Sequence, residues 1–588
     1  MITTKTNSVL LCALLCWNTS NALAAETDPR ADALQASVWR DEQRIVDVHT
    51  HIEAQPERFE RAARIFQAVG VGTAMELGSG TLTSQEGATS AFEQKKAVGE
   101  QTCPDLFMYD MLLDYSGFEN DDWSQRAVEQ VNKAYAAGAA GLKEFKRLGL
   151  TVRDGNGKLV RIDDPKLDAV WKRCGELQMP VSIHVGDPKA FWEPYDETNE
   201  RWEELRDHPG WWFGDPDKYP SREEVLEQFL HIIERHPQTT FIGVHFGNNP
   251  EDIDWVSRHL DKYPNYMCDI AARIPEIGRS NPEKLRQMFV KHQDRILFGT
   301  DFMVYGRMIL GSAGDDERPT DQDAVIFYRK CYRFFETDDR NWKHMTPIQG
   351  SWTIDSINIP AAVQRKVYFD NAQRMFASSM PPRTLKAVRI EDDFELDGHL
   401  NDQAWDDVPI ERLEYTLKNV SVRTDLSTSV RALWSDNYLY LGYEAPYSKL
   451  TTAETPANEE RHGLWNDDVV ELFLAPDPEH PEIYQEYEWA PNGEQLDLSV
   501  SPSEKRLEWS SDMESRVTVD EEAHIFRVEA RIPIASITSD PPSVGTRWRA
   551  NLYRNDVANG VFLAWHPTLQ STAHVPERFG WLELIRAE

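Results

Sequence analysis

Short apolar runs alternate with longer amphipathic stretches from Arg44 to about residue 380. The amphipathic stretches, such as "SREEVLEQFLHIIERHP" at 221–237, have the spacing of helices that bury one face. The apolar runs have the length of buried strands: "RIVDVH" (44–49), "GTAMEL" (72–77), "LFMYDML" (106–112), "AGLKEF" (140–145), "PVSIHV" (180–185), "TFIGVHF" (240–246), "NYMCDI" (265–270) and "RILFGTDF" (295–302). Strands and helices in this order predict a (β/α)8 TIM-like barrel over residues 40–380, with a doubly wound open sheet as the alternative.

The pattern changes after about residue 380. The stretch "SSMPPRTLKAV" (378–388) contains a Pro pair and is typical of a linker. Beyond it, short alternating segments are separated by turn residues, as in "SVRALWSDNYLYLGYEA" (429–445) and "AHIFRVEARIPI" (523–534). This pattern predicts a second domain over 388–588, an antiparallel β-sandwich.

The first residues are typical of an export signal. Lys5 precedes the apolar run "SVLLCALLCW" (8–17), and "ALA" at 22–24 offers small residues for cleavage. We therefore expect residues 1–24 to be a signal peptide and the mature protein to be periplasmic or secreted. Later segments are too short or too polar to predict a membrane span. The net charge of −35 argues against nucleic acid as a partner.

Polar residues recur at the carboxyl ends of the predicted strands. The first strand ends in His49 and His51, whose spacing of two residues points both side chains to one face. The fifth, sixth and eighth strands end in His184, His245 and Asp301. In a barrel these ends meet at the face where active sites form, and imidazoles with a carboxylate are ligands for Zn²⁺ or a similar divalent ion.

The motifs "DVHTH", "IHVGD", "VHFGN" and "ILFGTD" resemble the metal-binding signature of the amidohydrolase superfamily, in its amidohydrolase-related branch. The later "VYFDNAQRMF" (367–376) is similar to the closing helix of that branch. The resemblance implies that His49, His51, His184 and Asp301 bind a divalent metal ion, zinc with manganese as the alternative. It implies that His245 is a further ligand or polarises the substrate, and that Asp301 shuttles a proton during hydrolysis.

Lys143 leaves the number of metal ions open. Some superfamily members carry a carboxylated lysine at this strand, where it bridges two ions. Without that modification Lys143 would bind an anionic substrate group or be a solvated charge, and the site would hold one ion, which is the expectation. Lys146 is a further candidate for binding an anionic group of the substrate.

The segment from His184 to Pro220 is too long for an ordinary connection and is rich in tryptophan. On the active-site face it would cover the metal, although most of its tryptophans are expected to pack the insertion itself. Arg201 within it, and Arg273 in "DIAARIPEIGR", are candidates for binding a substrate carboxylate through paired hydrogen bonds.

In the second domain, "DGHLNDQAW" (397–405), "LWNDDVVELFL" (464–474), "YEWAPNGEQLD" (487–497) and "HVPERFGWLEL" (574–584) resemble family 9-like carbohydrate-binding modules. The resemblance implies a glycan partner held against aromatic rings. The candidate rings are Trp434, Trp465 and Trp565, and the alternative for each is a place in the domain core.

Taken together, these features predict an exported metal-dependent hydrolase that opens a lactone, an ester or a related bond in a small, sugar-derived compound. Two alternatives stay open: a decarboxylase or hydratase of a small unsaturated acid, and a glycan-binding protein whose barrel is not catalytic.

Overall fold

The computed structural model describes residues 29–85, 87–453 and 460–587. The predicted signal peptide lies outside these residues. Within them, no helix has both the length and the apolar composition needed to cross a membrane.

Each of the eight predicted runs overlaps a strand of the first domain. These strands are β1 (Ile45–Ile52), β2 (Val71–Leu77), β3 (Phe107–Met111), β4 (Gly141–Glu144), β5 (Val181–Ile183), β6 (Phe241–Gly243), β7 (Tyr266–Asp269) and β8 (Ile296–Leu297). They pair in parallel, each with the next along the chain. Helices follow most of them, and the longer ones are Pro56–Val69, Ala91–Thr102, Trp123–Ala136, Asp168–Glu176, Arg222–Arg235, Ile253–Lys262, Pro282–Lys291 and Asp321–Glu336.

The ends of this curled sheet meet. Val48 N donates to Phe298 O at 3.0 Å, and Asp301 N donates to His49 O at 2.8 Å. The hairpin of β9 (Phe302–Val304) and β10 (Met308–Leu310) then continues along β1, with β9 parallel to it. The mostly parallel, curled sheet fits a TIM barrel, so it favours that prediction over an open doubly wound sheet.

Local sequence explains why the helices begin where they do. Ser90 and Thr320 each accept from the backbone N–H three residues on, and Glu93 and Asp323 return the bond in complete capping boxes. The helix Pro56–Val69 buries Phe59, Phe66 and other apolar residues against the strands and ends at Gly70, whose φ of 82° suits glycine. The amphipathic stretches therefore cover the barrel as their apolar spacing predicts.

The chain leaves the barrel after helices Ala361–Arg365 and Asn371–Met375, which flank a π-helical segment at Lys366–Asp370. A short antiparallel pair precedes them, β11 (Trp342–Lys343) with β12 (Thr353–Ile354).

The second domain is built from strands with their own apolar core. They are β13 (Thr384–Arg389), β14 (Glu411–Leu413), β15 (Tyr415–Thr416), β16 (Thr428–Trp434), β17 (Tyr438–Pro446), β18 (Val469–Ala475), β19 (Tyr484–Trp489), β20 (Gln495–Ser501), β21 (Glu504–Arg506), β22 (Glu514–Asp520), β23 (Ile525–Pro533), β24 (Arg547–Asp556), β25 (Val561–Ala564) and β26 (Gly580–Ile585).

The predicted antiparallel sandwich is not confirmed. The strands join into one curled sheet in the order β21-β20-β19-β18-β24-β26-β13-β16-β17-β23-β22, with β14, β15 and β25 beside this path. The sheet is mixed, because β13 runs parallel to both of its neighbours, β16 and β26. Alternation of apolar and polar residues predicts strands but does not encode their direction, so the sequence left this parallel strand undetected.

Candidate metal centre

Strand β1 delivers His49 and His51 to the mouth of the barrel, beside Asp301. His49 Nε2 lies 3.4 Å from Asp301 Oδ1, and His51 Nε2 lies 3.5 Å from the same oxygen. All three side chains are at least 90% buried. The spacing of two residues along β1 therefore places both imidazoles against one carboxylate, as expected from the strand period.

Asp301 and His245 lie on strained backbone that aims them inward. Asp301 has φ 62° in the turn beyond β8, and His245 has φ 56° in the turn Val244–Gly247 that follows β6. Left-handed backbone at a residue other than glycine costs about 1–3 kcal/mol and is concentrated at functional sites. Buried contacts hold both turns, since Asp301 N bonds to His49 O and His245 N donates to Asp269 Oδ1 at 2.8 Å.

The remaining imidazoles complete the cluster. The rings of His184 and His245 have centroids 4.1 Å apart, and those of His49 and His245 are 5.0 Å apart. Two sets of side chains bring one potential ligand atom each within 4.8 Å of one another: His49, His245 and Asp301, and His184, Asp187 and His245. His245 belongs to both sets, so the candidate ligands form one continuous group.

A hydrogen bond from one nitrogen of each ring fixes the tautomers of His49, His184 and His245. His49 Nδ1 lies 2.8 Å from Asp269 Oδ2, and His245 Nδ1 lies 2.8 Å from Ala271 O. A carbonyl and a carboxylate only accept, so each Nδ1 carries the proton and each Nε2 keeps its lone pair for a metal. His184 donates from Nε2 to Asp187 Oδ2 at 3.1 Å, which leaves its lone pair on Nδ1.

Electrostatics keep the imidazoles neutral. Burial lowers the pKa of His51, His184 and His245 well below the usual value, and nearby positive charges lower the pKa of each further. Burial raises the pKa of Asp301, although His49 and Lys143 oppose that shift. Neutral imidazoles beside a carboxylate are the state in which these side chains bind a divalent cation.

Comparison with protein families agrees with this geometry. Residues 46–377, more than half of the chain, match the family profile described as amidohydrolase. The chain belongs to the amidohydrolase family. Residues 396–587 match a second profile, the carbohydrate family 9 binding domain-like family. The protein therefore contains an amidohydrolase domain followed by a family 9-like carbohydrate-binding domain. A search of the curated proteins found no match.

Solved structures resemble each half of the chain at low identity. An amidohydrolase from Mycobacterium avium subsp. paratuberculosis is 16% identical, covering 54% of this chain and 73% of its own, with a TM-score of 0.31. The 4-oxalomesaconate hydratase of Rhodopseudomonas palustris is 12% identical over 56% and 95%, with a TM-score of 0.32. A family 9 carbohydrate-binding module from Caldicellulosiruptor kristjanssonii, in complex with glucose, is 19% identical over 35% and 97%, with a TM-score of 0.27.

Lys143 points its charge into the ligand group of the amidohydrolase domain. Its side chain is 1% exposed, and its Nζ has no hydrogen-bond partner among the described residues. Burial lowers the pKa of Lys143 to about 8, against the opposing effect of Asp269 and Asp301. A buried amine of low pKa without a partner is suited to carboxylation, and equally to contact with an anionic group.

Arg201 and Arg273 are paired with protein carboxylates, which argues against the expectation that they bind substrate. Arg273 forms a bidentate pair with Asp187, donating from Nε to Oδ1 at 2.7 Å and from Nη2 to Oδ2 at 2.6 Å. Arg201 Nη1 lies 2.6 Å from Glu204, and its Nη2 bonds to Glu276. Both guanidiniums are buried and already paired with protein carboxylates. They therefore stabilise the site, and neither has a pair of N–H donors free to bind a ligand carboxylate.

Lys146 has no such partner, and burial lowers its pKa to about 8, so it keeps most of its charge at neutral pH. The side chain is half-buried, and the described residues provide it with neither an ion pair nor a hydrogen bond. Its Nζ lies over the rings of the insertion residues Phe191, Trp211 and Phe213. Lys146 therefore remains a candidate substrate-binding residue of the amidohydrolase domain.

Most tryptophans of the insertion pack the insertion, as expected. Trp192 Nε1 donates to Pro220 O at 3.2 Å, and Trp212 Nε1 donates to Glu193 O at 2.7 Å. The ring of Trp202 packs edge-on against Tyr195. These indoles fold the insertion onto itself, and Trp211 is the one we assign to the surroundings of Lys146 because its ring lies 5.2 Å from that ammonium.

Sequence reasoning missed the carboxylates behind the ligands. Asp269 ends β7 and accepts from His49 Nδ1, His245 N and Ala271 N. Asp187 accepts a hydrogen bond from His184 and is itself bound by Arg273. Burial would raise the pKa of Asp187, but the positive charges of Arg273 and Lys146 outweigh burial and lower it. The signal was present, because Asp269 is the polar end of the apolar run "NYMCDI".

In the carbohydrate-binding domain only one of the three candidate rings is open to a ligand. Trp434 and Trp565 are 1% and 0% exposed and belong to the core of the sheet, so neither presents a face to a sugar. Trp465 is 38% exposed, and Lys505 Nζ lies 4.8 Å from its ring centroid. Trp434 ends β16, whereas Trp465 lies in the short 3-10 helix Leu464–Asn466, and the sequence alone does not decide which ring is covered.

Proposed function

We propose that the protein is a metal-dependent hydrolase that opens a lactone, an ester or a related bond in a sugar-derived compound. The observation that supports this most strongly is the convergence of His49, His51, His245 and Asp301 at the carboxyl ends of β1, β6 and β8. A barrel used only as a scaffold would have no use for buried, neutral imidazoles facing a carboxylate.

The donor set fits a divalent ion, zinc with manganese as the alternative. One ring nitrogen each of His49 and His245 lies within 4.8 Å of an Asp301 oxygen, and His51 Nε2 approaches the same carboxylate. We propose one ion, held by His49, His51, His184 and Asp301, with His245 as a further ligand. A divalent ion in such a site supplies hydroxide at neutral pH and polarises a carbonyl group.

Asp301 has the position of a proton carrier. Its carboxylate lies beside the imidazoles of His49 and His51, at the position of an acceptor for a proton from the attacking water. Its raised pKa, caused by burial, suits it to return that proton to the leaving group. The same residue would therefore act first as general base and then as general acid.

His245 is better suited to binding metal than to polarising the substrate. Its Nδ1 proton is committed to Ala271 O, and its lowered pKa keeps Nε2 without a proton. A nitrogen without a proton cannot donate to a developing oxyanion. We assign Lys143 to the same face, as an anionic bridging ligand if it is carboxylated and a second ion is present.

The second domain would hold a glycan near Trp465. The family match supports this role, and the exposed indole with Lys505 over it offers an apolar face with a polar rim. Export to the periplasm or the exterior is part of the proposal, since the signal-like residues 1–24 and a carbohydrate-binding domain fit the same setting.

Two other activities remain as alternatives. The same ligands could support a decarboxylase or a hydratase acting on a small unsaturated acid, because a divalent ion also stabilises enolate-like charge. A non-catalytic glycan-binding protein is the other alternative, and the intact ligand group argues against it.

Metal analysis combined with a substrate screen tests the proposal. The purified protein should contain about one divalent ion per chain and hydrolyse a member of a panel of lactones, esters and sugar-acid derivatives. The His49→Ala and His51→Ala double variant should lose both metal and activity while the second domain stays folded. The His480→Ala variant, at an exposed histidine of the second domain, is the matched control. Unchanged metal content in the double variant would show that the site assignment is wrong.

A further inference from the structure

Lys146 lies at the mouth of the barrel, next to the candidate metal centre. It follows β4 by two residues, and its neighbour Phe145 packs against the imidazole of His51 with ring centroids 5.8 Å apart. The insertion that begins after His184 lies over it, because three of its rings, those of Phe191, Trp211 and Phe213, face Lys146 Nζ. Lys146 therefore lies between the ligands of β1 and the insertion that covers them.

Three aromatic rings surround its ammonium group. The distances from Lys146 Nζ to the ring centroids are 4.5 Å for Phe191, 5.2 Å for Trp211 and 5.9 Å for Phe213. Phe191 and Phe213 are themselves buried, and Phe213 N donates to Phe191 O at 2.7 Å. The rings are thus fixed by the folded insertion, and they hold the lysine in one place.

The rings attract the ammonium but leave its charge without a counterion. Cation–π contacts partly replace lost hydration, whereas a half-buried charge is fully balanced only by an anion. The guanidiniums nearby are paired, Arg273 with Asp187 and Arg201 with Glu204 and Glu276. Among the described residues Lys146 has no carboxylate within ion-pair distance. Asp187 and Glu204 act on its charge from further away, but they are paired with Arg273 and Arg201, so Lys146 has no counterion of its own.

The large negative charge of the protein supports a ligand-binding role for the Lys146 ammonium group. A chain with net charge −35 repels anionic compounds, so a site that accepts one needs a positive group placed at the point of binding. Lys146 meets that need and is already positioned by its rings, which reduces the entropy lost when a ligand binds.

We infer that the substrate of the proposed hydrolase carries a free carboxylate, and that Lys146 binds it while the bond to be cleaved faces Asp301. This inference rests on the proposed function. The substrate class is then a lactone or ester that bears a second acidic group, such as the lactone of a sugar diacid. Phe191, Trp211 and Phe213 are the residues that position Lys146 for this contact.

Binding of succinate, with acetate as the reference, tests the anion site without requiring turnover. Calorimetry on the metal-loaded protein should show succinate binding more tightly than acetate, because only succinate has a second carboxylate for Lys146. In Lys146→Gln the affinity for succinate should fall by about tenfold or more, the loss expected for a charge-assisted hydrogen bond. Lys146→Arg should keep most of it, and Lys189→Gln, at an exposed lysine of the same insertion, should keep all of it.

Hydrolysis gives the second readout and separates the two proposals. The wild type should prefer 5-oxotetrahydrofuran-2-carboxylate to γ-butyrolactone, and monomethyl succinate to dimethyl succinate, and Lys146→Gln should lose that preference through KM. Succinate binding that is absent, or equal in the wild type and Lys146→Gln, would overturn the inference even if neutral esters are cleaved. Succinate binding that depends on Lys146, with no ester or lactone cleaved, would sustain the anion site and refute the hydrolase.

Discussion

The chemistry of the site depends on a few side chains that are buried in unusual states. Asp301 lies on left-handed backbone, His49 and His245 have their Nδ1 protons committed to Asp269 and Ala271, and Lys143 has no partner among the described residues. Each of these states costs stability in isolation. They are maintained because neighbouring strand ends fix them, and a divalent ion would relieve much of that cost.

Replacing Asp301 by Asn should separate catalysis from metal binding. The amide keeps the shape and one oxygen facing the imidazoles, but it cannot take up a proton near neutral pH. We expect kcat to fall by about a hundredfold to ten-thousandfold, the range for removing a general base. Metal content should fall less than in the His49→Ala and His51→Ala double variant. Near-normal turnover of the Asn variant on any accepted substrate would exclude Asp301 as the base.

Asp269 should control metal affinity without contacting the substrate. In Asp269→Asn the side chain loses the charge that holds the Nδ1 proton of His49, so the ring loses its fixed tautomer and orientation. Loss of such a supporting partner typically costs about 10–100-fold in metal affinity or activity. Competition with a chromophoric chelator measures the affinity, and activity should recover at saturating metal. The Asp261→Asn variant, at a half-exposed carboxylate that pairs with Lys291, is the control and should bind metal like the wild type.

The insertion after β5 is the element that gives the barrel mouth its shape. It is fastened by a buried network in which Arg201 bonds to Glu204 and Glu276, and Ser312 donates to Glu204. These partners lie on the insertion, on the segment after β7 and on the loop after β10. The network therefore anchors the insertion to the segments that follow β7 and β10.

Arg201→Met should loosen the insertion while the barrel stays folded. The change leaves Glu204 and Glu276 buried without their counterion, and breaking a buried pair in this way typically costs about 3–5 kcal/mol. We expect faster cleavage within 188–220 in limited proteolysis and reduced activity, with the metal retained. Arg206→Met, at an exposed arginine of the helix Trp202–Asp207 that Arg201 directly precedes, is the control. If both variants resist protease like the wild type, the network does not hold the insertion.

The two domains of the molecule are joined by buried charges. Glu414 lies 2.5 Å from Arg44 and 2.6 Å from Arg365, and the hydroxyl of Tyr415 donates to Asp370 at 2.8 Å. Arg44 directly precedes β1, the strand that carries His49 and His51. The second domain therefore packs against the base of the strand that supplies the metal ligands, which suggests that the two domains unfold together.

Glu414→Gln tests this coupling through the pH dependence of stability. Burial would raise the pKa of Glu414, but Arg44 and Arg365 outweigh it and hold the pKa far below the usual value. A depressed pKa means that this group stabilises the fold fully above its unfolded pKa of about 4.3, and that the contribution is lost progressively as the pH falls below that value towards the much lower folded pKa. The variant should lose about 3–5 kcal/mol at neutral pH and show less further loss below about pH 5.

Chemical unfolding of the full chain, followed at several pH values, measures both effects. Asp425→Asn, at an exposed carboxylate paired with Arg423, should behave like the wild type. Equal stability of Glu414→Gln and the wild type at neutral pH would show that the interface does not couple the domains. We also expect residues 388–588 to fold alone, because the second domain has its own core.

The sequence by itself determined the local periodicities and their direct consequences for strands and ligands. The eight apolar runs predicted the eight strands because a buried parallel strand needs a continuous apolar stretch. The spacing of His49 and His51 predicted that they share a face, and the placing of the other ligands at strand ends predicted one mouth, because parallel strands of a barrel end on the same side.

Only the tertiary structure decided which polar groups are already paired and which rings are covered. Arg273 meets Asp187 and His49 meets Asp269 across long stretches of chain, and no local pattern encodes those contacts. Trp434 and Trp465 look alike in sequence, yet one is in the core and the other is exposed. The parallel strand β13 was missed for the same reason, since pairing partners are chosen by packing between distant segments, whereas periodicity reports only what each segment buries.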